Sequence, residues 1–411
     1  MKSKYKILGD YIIESKARNE SLQAETLLWI NIDKFFMPSV ANVVGTDMSV
    51  YKTVKRNQFA CNRMHVGRDY RLPVSMSRID NEFIVSPAYD VFEIRDTDIL
   101  DPEYLMMWFS RSEFDRNAWF YTDADVRGGL HWKALCDMQL PIPWIEKQRQ
   151  IVAEYNVIQN RITLNQELIK KLEETAQAIY KQWFMDFEFP DEKGKPYKSS
   201  GGEMVESDLG EIPKGWKVGT FEDLELDVTD GNYSSKYPSY SEFKETGVPF
   251  IRGTDFFGKC IDPFNLLFIS EKKHNELRKE HTKKGDILMG TRGEIGKYAF
   301  ITSDFIDVNI NAQLVRINGW SKYPTSFLGC MFNSRSFKET LMSSTTGSAL
   351  QQLPISNLMA MKILMPQHNE VLNSWKLLNP IHNHFILLNE EIFKLMNLQN
   401  LLLSKLATIE H

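Results

Sequence analysis

The chain has 411 residues, too many for one hydrophobic core and enough for two domains of ordinary size plus connectors. No apolar run approaches a membrane span and no charged-then-apolar signal region opens the sequence, so a membrane protein is excluded and a cytoplasmic location is expected. Cys61, Cys136, Cys260 and Cys330 are far apart with no Cys-x-x-Cys pair, which argues against a disulfide framework and a thiolate zinc site, and a net charge of -5 gives no global sign of a nucleic-acid partner.

Residues 1–144 read as a first globular unit of mixed α and β character. Phe83-Ile84-Val85 and Val91-Phe92-Glu93-Ile94 are short apolar runs of strand type. Asp101-Pro102-Glu103 reads as a helix start, with Asp101 as N-cap and Pro102 in the first turn, opening a helix over Tyr104 to Ser112. Charge is uneven here: Lys52, Lys55, Arg56, Arg63, Arg68, Arg71 and Arg78 face only Asp69 and Asp80 between Tyr51 and Asp80, a patch able to bind phosphate whatever the total charge. Leu140-Pro141-Ile142-Pro143 closes the unit, its prolines expected to stop any regular ladder.

Residues 145–185 predict one long helix without Gly or Pro up to Phe184. Ile151, Tyr155, Ile158, Ile162, Asn165, Ile169, Leu172, Ala176, Ile179 and Trp183 are spaced alternately by 4 and 3, a heptad seam interrupted only by Asn165. At ~1.5 Å per residue such a helix spans roughly 60 Å and needs an equally long partner.

Residues 186–215, rich in Gly, Pro, Ser and charge, read as a linker. Residues 216–366 read as a second unit, with strands at Asp286–Met289, Tyr298–Ile301 and Gln313–Ile317 and glycine turns at Gly290, Gly293 and Gly296. Lys272, Lys273, Arg278, Lys279, Lys283 and Lys284 alternate with Glu271, Glu276 and Glu280, the pattern of a solvated helix face. Residues 367–411 supply the partner helix, with Phe385, Leu388, Ile392 and Leu395 as pairing positions. Pro380 is expected to divide it, with Asn379 as cap.

The chain also repeats itself. Leu164-Asn165-Gln166-Glu167-Leu168 recurs as Leu388-Asn389-Glu390-Glu391-Ile392. At nearly the same separation Leu130, Trp132, Leu135, Met138 and Pro143 recur as Leu353, Ile355, Leu358, Met361 and Pro366, and Ala88 as Ala312. A tandem duplication accounts for all of these together.

With the repeat, the helices and the connector in view, the chain resembles the DNA-specificity (S) subunit of type I restriction-modification enzymes. The most specific stretch is the junction Trp183-Phe184-Met185-Asp186-Phe187-Glu188-Phe189-Pro190, then Gly194-Lys195-Pro196-Tyr197-Lys198-Ser199-Ser200-Gly201-Gly202-Glu203-Met204, then Gly210-Glu211-Ile212-Pro213-Lys214-Gly215-Trp216. Leu140-Pro141-Ile142-Pro143 followed by Glu146-Lys147-Gln148-Arg149-Gln150-Ile151-Val152 also closes the first unit as that family's recognition domains close. Leu364-Met365-Pro366-Gln367-His368-Asn369-Glu370 is a degenerate counterpart.

The resemblance implies an α+β fold of two tandem target-recognition domains separated by two long antiparallel coiled-coil helices. It implies double-stranded DNA as a partner, each domain reading one half of a bipartite asymmetric site. It further implies two modification subunits that hold S-adenosylmethionine and methylate adenine, and restriction subunits that complete the cleaving complex. The chain itself is expected to bind no cofactor and catalyse nothing. The rival reading is a two-domain coiled-coil interaction scaffold with no DNA partner.

The sequence lacks the motifs for those chemistries. Asn379-Pro380-Ile381-His382 has only half of an Asn-Pro-Pro-aromatic methyltransferase tetrapeptide and reads as a helix cap. Pro190-Asp191 has no Glu-x-Lys following it. Gly290 to Lys297 has glycines without a phosphate-loop pattern and reads as a hairpin turn presenting Arg292 and Lys297. The histidines form no His-Glu-x-x-His set and read as solvated or seam residues, so no metal site is expected.

Base edges are matched by Arg on guanine, Asn or Gln on adenine, and Ser or Thr on either. On that chemistry the candidates in the first unit are Arg63, Arg68, Arg71 and Arg78, with Lys52, Lys55 and Arg56 on phosphate. Those in the second are Arg252, Thr254, Arg292, Lys297, Asn309, Asn311, Gln351 and Gln352. For any one of them a surface ion pair or a turn role competes with a base contact.

Overall fold

The computed structural model describes residues 5–40, 45–64, 66–122, 129–231, 236–319, 322–347 and 350–408. The chain forms two compact units, Met1–Ile162 with Leu395–His411, and Thr163–Lys394. The units therefore do not end where the long helices begin. The helix α1, Ile145–Phe184, and the helix α2, His368–Lys405, each contribute one stretch to each unit.

In the first unit β1 (Ile12–Ser15), β2 (Phe59–Cys61), β3 (Val74–Met76) and β4 (Asp90–Ile94) form an antiparallel sheet of order β1-β4-β2-β3. Phe59 lies opposite Phe92 on one side and Met76 on the other. The Phe59 and Phe92 rings stack at 5.1 Å, and Phe109 packs edge-on against both. The helix Pro102–Phe109 starts as the sequence predicts: the Asp101 carboxylate accepts from the Glu103 and Tyr104 amides at 2.9 and 3.1 Å. It ends at Phe109, short of Ser112, where a second helix, Ser112–Phe120, begins.

The first unit closes on itself through Tyr5–Ile7, which pairs antiparallel with Gln139–Pro141. The ladder thus includes Pro141, contrary to expectation. Among the described residues the strand has only this one neighbour, so a residue without an amide proton is tolerated there. Gln148, fully buried near the start of α1, accepts from the Asp101 amide at 2.9 Å and donates to the Ile99 and Pro143 carbonyls at 2.8 and 2.7 Å. Ile151, Val152 and Tyr155 of α1 pack on the same core as Leu403 and Leu406, so within this unit the start of α1 meets the end of the chain.

The second unit repeats the plan. β5 (Asp227–Asp230), β6 (Ile287–Gly290), β7 (Tyr298–Phe300) and β8 (Leu314–Asn318) form an antiparallel sheet of order β5-β8-β6-β7, and Lys217–Thr220 pairs antiparallel with Lys362–Met365. Beside it Val248–Ile251 pairs antiparallel with Leu267–Ile269 and parallel with Asn309–Ile310. Trp183, Phe184, Leu378 and Phe385 are buried in its core, with Ile169, Leu172 and Ile179 packed against them. Here the end of α1 meets the beginning of α2. Among these pairing positions Ile158, Ile162, Phe385, Leu388 and Ile392 are buried and Ile151, Tyr155, Ile169, Leu172, Ile179 and Leu395 half-buried, as a seam requires.

Two further expectations need correction. The segment 186–215 is folded: Phe189, Ile212 and Trp216 are buried in the second unit, and the Phe189 ring stacks on Tyr197 at 4.6 Å and on Trp216 at 5.3 Å. Its Gly, Pro and Ser content conceals a few well-spaced aromatic anchors. Pro380 does not divide the last helix, which runs from His368 through Lys405, so Asn379 is no cap. The bond that Pro380 cannot donate is offset by burial on either side, since Leu378 and Phe385 enter one core.

The sheet registers align the units residue by residue, Phe59 opposite Phe92 answering to Ile287 opposite Ile317. Gln58 and Glu93 then correspond to Asp286 and Asn318, and Val91 to Arg316. In the first unit Gln58 Nε2 donates to Glu93 Oε2 at 2.8 Å; in the second Asn318 Nδ2 donates to Asp286 Oδ1 at 2.6 Å. Where Val91 fills the first sheet, the buried Arg316 donates to Asp286 at 3.2 Å and to Asp227 at 3.0 Å.

Candidate nucleic-acid interface

The clearest shared feature of the two sheets is the loop of the central hairpin. In the first unit β2 and β3 are joined by residues 62–73, which carry Arg63, Arg68 and Arg71. In the second β6 and β7 are joined by residues 291–297, which carry Arg292 and Lys297. Each loop is tied at the same place to a later segment, Leu130 N donating to the Arg63 carbonyl at 3.0 Å and Leu353 N to the Thr291 carbonyl at 2.8 Å. The hairpin expected from the glycines is formed, and Gly293 and Gly296 have φ of 73° and 79°, a left-handed backbone that glycine adopts without strain.

The structure does not gather the first unit's seven basic residues into one patch. Arg63, Arg68 and Arg71 lie at the loop end of the hairpin, whereas Lys55, Arg56 and Arg78 flank its open end, where Asn57 and Gln58 bond to Ser77. Arg68 is bidentate to Asp69 at 2.6 and 2.9 Å, Arg71 reaches Asp33 at 3.1 Å, Arg78 grips Glu103 at 2.8 and 2.5 Å, and Arg56 pairs with Asp80. These arginines are more than half exposed, so their pairs are weak and a phosphate can compete for them.

Arg63 is held more firmly, donating to Asp90 at 2.5 Å and to the Leu130 carbonyl, beneath the Trp132 ring. Lys52 is half-buried with its ammonium on the Tyr89 carbonyl at 2.6 Å. Lys55 is exposed, with no ion pair among the described residues.

In the second unit backbone contacts link the segments that carry several of the candidates. Arg292 and Gln352 are bridged antiparallel, Thr291 N donates to the Gln313 carbonyl at 2.8 Å, and Asn311 N donates to the Ile251 carbonyl at 2.8 Å, next to Arg252 and Thr254. Arg292, Thr254, Gln351 and Gln352 are exposed and Lys297 half-exposed, with Lys297 bonded to Glu294 at 2.7 Å. Arg252 is clamped by the buried Asp255 at 2.6 Å.

Asn309 and Asn311 cannot act as base readers in this arrangement. Asn309 is fully buried and bonds to His274 and the Leu277 carbonyl, while Asn311 is 7% exposed and accepts from the Gln313 amide to hold the turn. The lysines after the short helix Glu271–Glu276 do not form a solvated helix face either. Lys279 reaches Asp230 at 2.5 Å and Lys283 reaches Asp227 at 3.0 Å, back to strand β5.

Residues 213–396 match the family described as the type I restriction modification DNA specificity domain. The chain is 26% identical over 297 residues to the type I restriction enzyme MjaIX specificity subunit of Methanocaldococcus jannaschii, covering 69% of this chain and 64% of that protein. It is 25% identical over 295 residues to the HindI specificity subunit of Haemophilus influenzae, covering 59% and 61%. It thus spans less than two thirds of the length of these curated relatives. A solved type I restriction-modification S subunit from M. genitalium shares the fold at a TM-score of 0.53 and 14% identity, over 99% of this chain and 96% of that one.

Proposed function

We propose that the chain belongs to the specificity subunits of type I restriction-modification enzymes and is the non-catalytic, DNA-reading member of such a complex. Residues 1–144 and 216–366 act as the two target-recognition domains, each reading one half of a split site in duplex DNA. The helices within 145–185 and 367–411 set the spacing of the half-sites and dock two modification subunits. Those subunits hold S-adenosylmethionine and methylate adenine, and cleavage belongs to the restriction subunits.

The observation that carries this reading is the recurrence of one sheet with a basic loop on the same hairpin, Arg68 and Arg71 in one unit and Arg292 and Lys297 in the other. A duplicated reader suits a bipartite site. Arginine at such loops can donate twice to the O6 and N7 acceptors of guanine, and glutamine can donate to adenine N7 while accepting from its N6 amino group.

The test is the salt dependence of duplex binding by the assembled methyltransferase. Each phosphate contact releases counterions, so affinity is expected to fall by orders of magnitude between about 50 and 200 mM salt, with log affinity linear in log salt. A flat dependence overturns DNA reading by basic loops.

A further inference from the structure

One cluster in the second unit serves neither the core nor the proposed DNA-reading loops. His274, on the short helix Glu271–Glu276, is 6% exposed and stacks on His281 with ring centroids 4.0 Å apart and planes 16° apart. Asp307 lies against both, its Oδ1 2.8 Å from His281 Nδ1 and 3.8 Å from His274 Nε2. Asp307 takes a left-handed backbone, φ 58°, unusual for a residue with a side chain.

Hydrogen-bond partners fix where the protons are. Asn309 Nδ2 donates to the Leu277 carbonyl at 3.1 Å, so its Oδ1 is an acceptor and the His274 Nδ1 facing it at 2.7 Å carries the proton. His274 Nε2 is therefore a bare lone pair in the neutral ring, and the buried Asn309 holds it in that tautomer. Likewise His281 Nε2 lies 3.1 Å from the His274 carbonyl, which can only accept, so Nε2 carries a proton. His281 Nδ1 then faces a carboxylate oxygen at hydrogen-bond distance, and a cation must stand between them: a second proton on the ring, or a metal ion.

We propose that His274 Nε2, His281 Nδ1 and the Asp307 carboxylate form a binding site for one divalent ion of the zinc class. The three donor atoms lie within 4.8 Å of one another. Bonds of ~2.0–2.1 Å to a tetrahedral ion place such atoms about 3.3 Å apart, between the two separations found here. Imidazole with carboxylate suits zinc and its neighbours, and a hydrogen bond from the distal ring nitrogen, as His274 makes to Asn309, orients a ligating histidine.

Loading requires the more exposed His281 ring to tilt out of its stack so that both lone pairs meet at one ion. The ion pins the helix Glu271–Glu276 to the turn before Asn309. The absence of a metal site expected from histidine spacing is thereby revised: the ligands come from three separate segments.

The test uses the purified full chain stripped with a chelator and titrated calorimetrically with Zn2+, then with Co2+ as a spectroscopic reporter. His281→Gln and Asp307→Asn serve as variants, with circular dichroism to confirm folding, because both side chains reach the surface and His274 does not. The wild type is expected to bind one Zn2+ at least about tenfold more tightly than either variant. Tetrahedral Co2+ absorption bands should be present in the wild type and lost in His281→Gln. Equal Zn2+ affinity in all three proteins, or no binding by the wild type at about 0.1 mM Zn2+, overturns the site and leaves a protonated His281–Asp307 ion pair. Neither result bears on DNA reading.

Discussion

The two units share a strand order and a hairpin loop but solve the middle of the sheet differently. In the first, Gln58 and Glu93 pair beside the apolar Val91; in the second, Asp286 and Asn318 pair beside Arg316, which also reaches Asp227. Burial pushes the Asp286 carboxyl above its usual range; it pushes Asp227 the same way, but there Lys283 and Arg316 more than offset it. One backbone plan thus accepts either an apolar residue or a buried cation, provided the carboxylates beside it are matched. The difference teaches that the duplicated plan is set by the hydrogen-bonded ladder and outer core, while the sheet interior has diverged as a connected set of charges.

The largest expected effect comes from breaking that set. Arg316→Met leaves Asp286 buried without its cation and is expected to cost about 3–5 kcal/mol of the second unit's unfolding free energy, read from its denaturant titration. Grafting the first unit's solution as Asp286→Gln, Arg316→Val and Asn318→Glu together should restore most of that loss. A triple variant no more stable than Arg316→Met would show that the sheets are not interchangeable.

Next in size is the hairpin loop. Arg292→Ala is expected to lower affinity for, or relax preference at, one half-site by about 1–3 kcal/mol and leave the other unchanged. The methylated motif of the assembled enzyme reports both halves at once, and equal loss in both halves contradicts two separate readers.

The smallest effect sharpens the comparison through pH. His382 on α2 packs edge-on against Phe300 at 4.5 Å, and burial brings its pKa from 6.5 down to about 4. The unfolded chain therefore binds the proton more readily. Its contribution is full above pH 6.5, is lost as pH falls from 6.5 towards 4, and is constant below. At pH 5.5 the loss should be on the order of 1 kcal/mol. The repeat places Ile158 where α2 has His382. His382→Leu is accordingly expected to flatten the pH dependence of urea midpoints measured between pH 7.5 and 5.

How much was legible in the sequence follows from the range of each interaction. A 4-3 spacing is local, so the seam of α1 and the Asp101 cap could be read without a partner in view. The duplication was legible because the helix Trp132–Asp137 and its counterpart Ile355–Met359 keep their apolar spacing in both copies. The folded connector was missed because Phe189 acquires its role only when Tyr197 and Trp216 close on it.

The sequence by itself determined the long helix α1, the repeat, the glycine hairpin and the family resemblance, since each rests on residues close in the chain or on self-similarity. Only the tertiary structure decided which basic residues share an end of a hairpin, which asparagines are buried, and that Pro380 stays within a helix. It also brought His274, His281 and Asp307 together. Those outcomes depend on burial and on partners tens of residues away, where a carboxylate such as Asp90 or a carbonyl such as that of Leu130 either claims a side chain or leaves it to solvent.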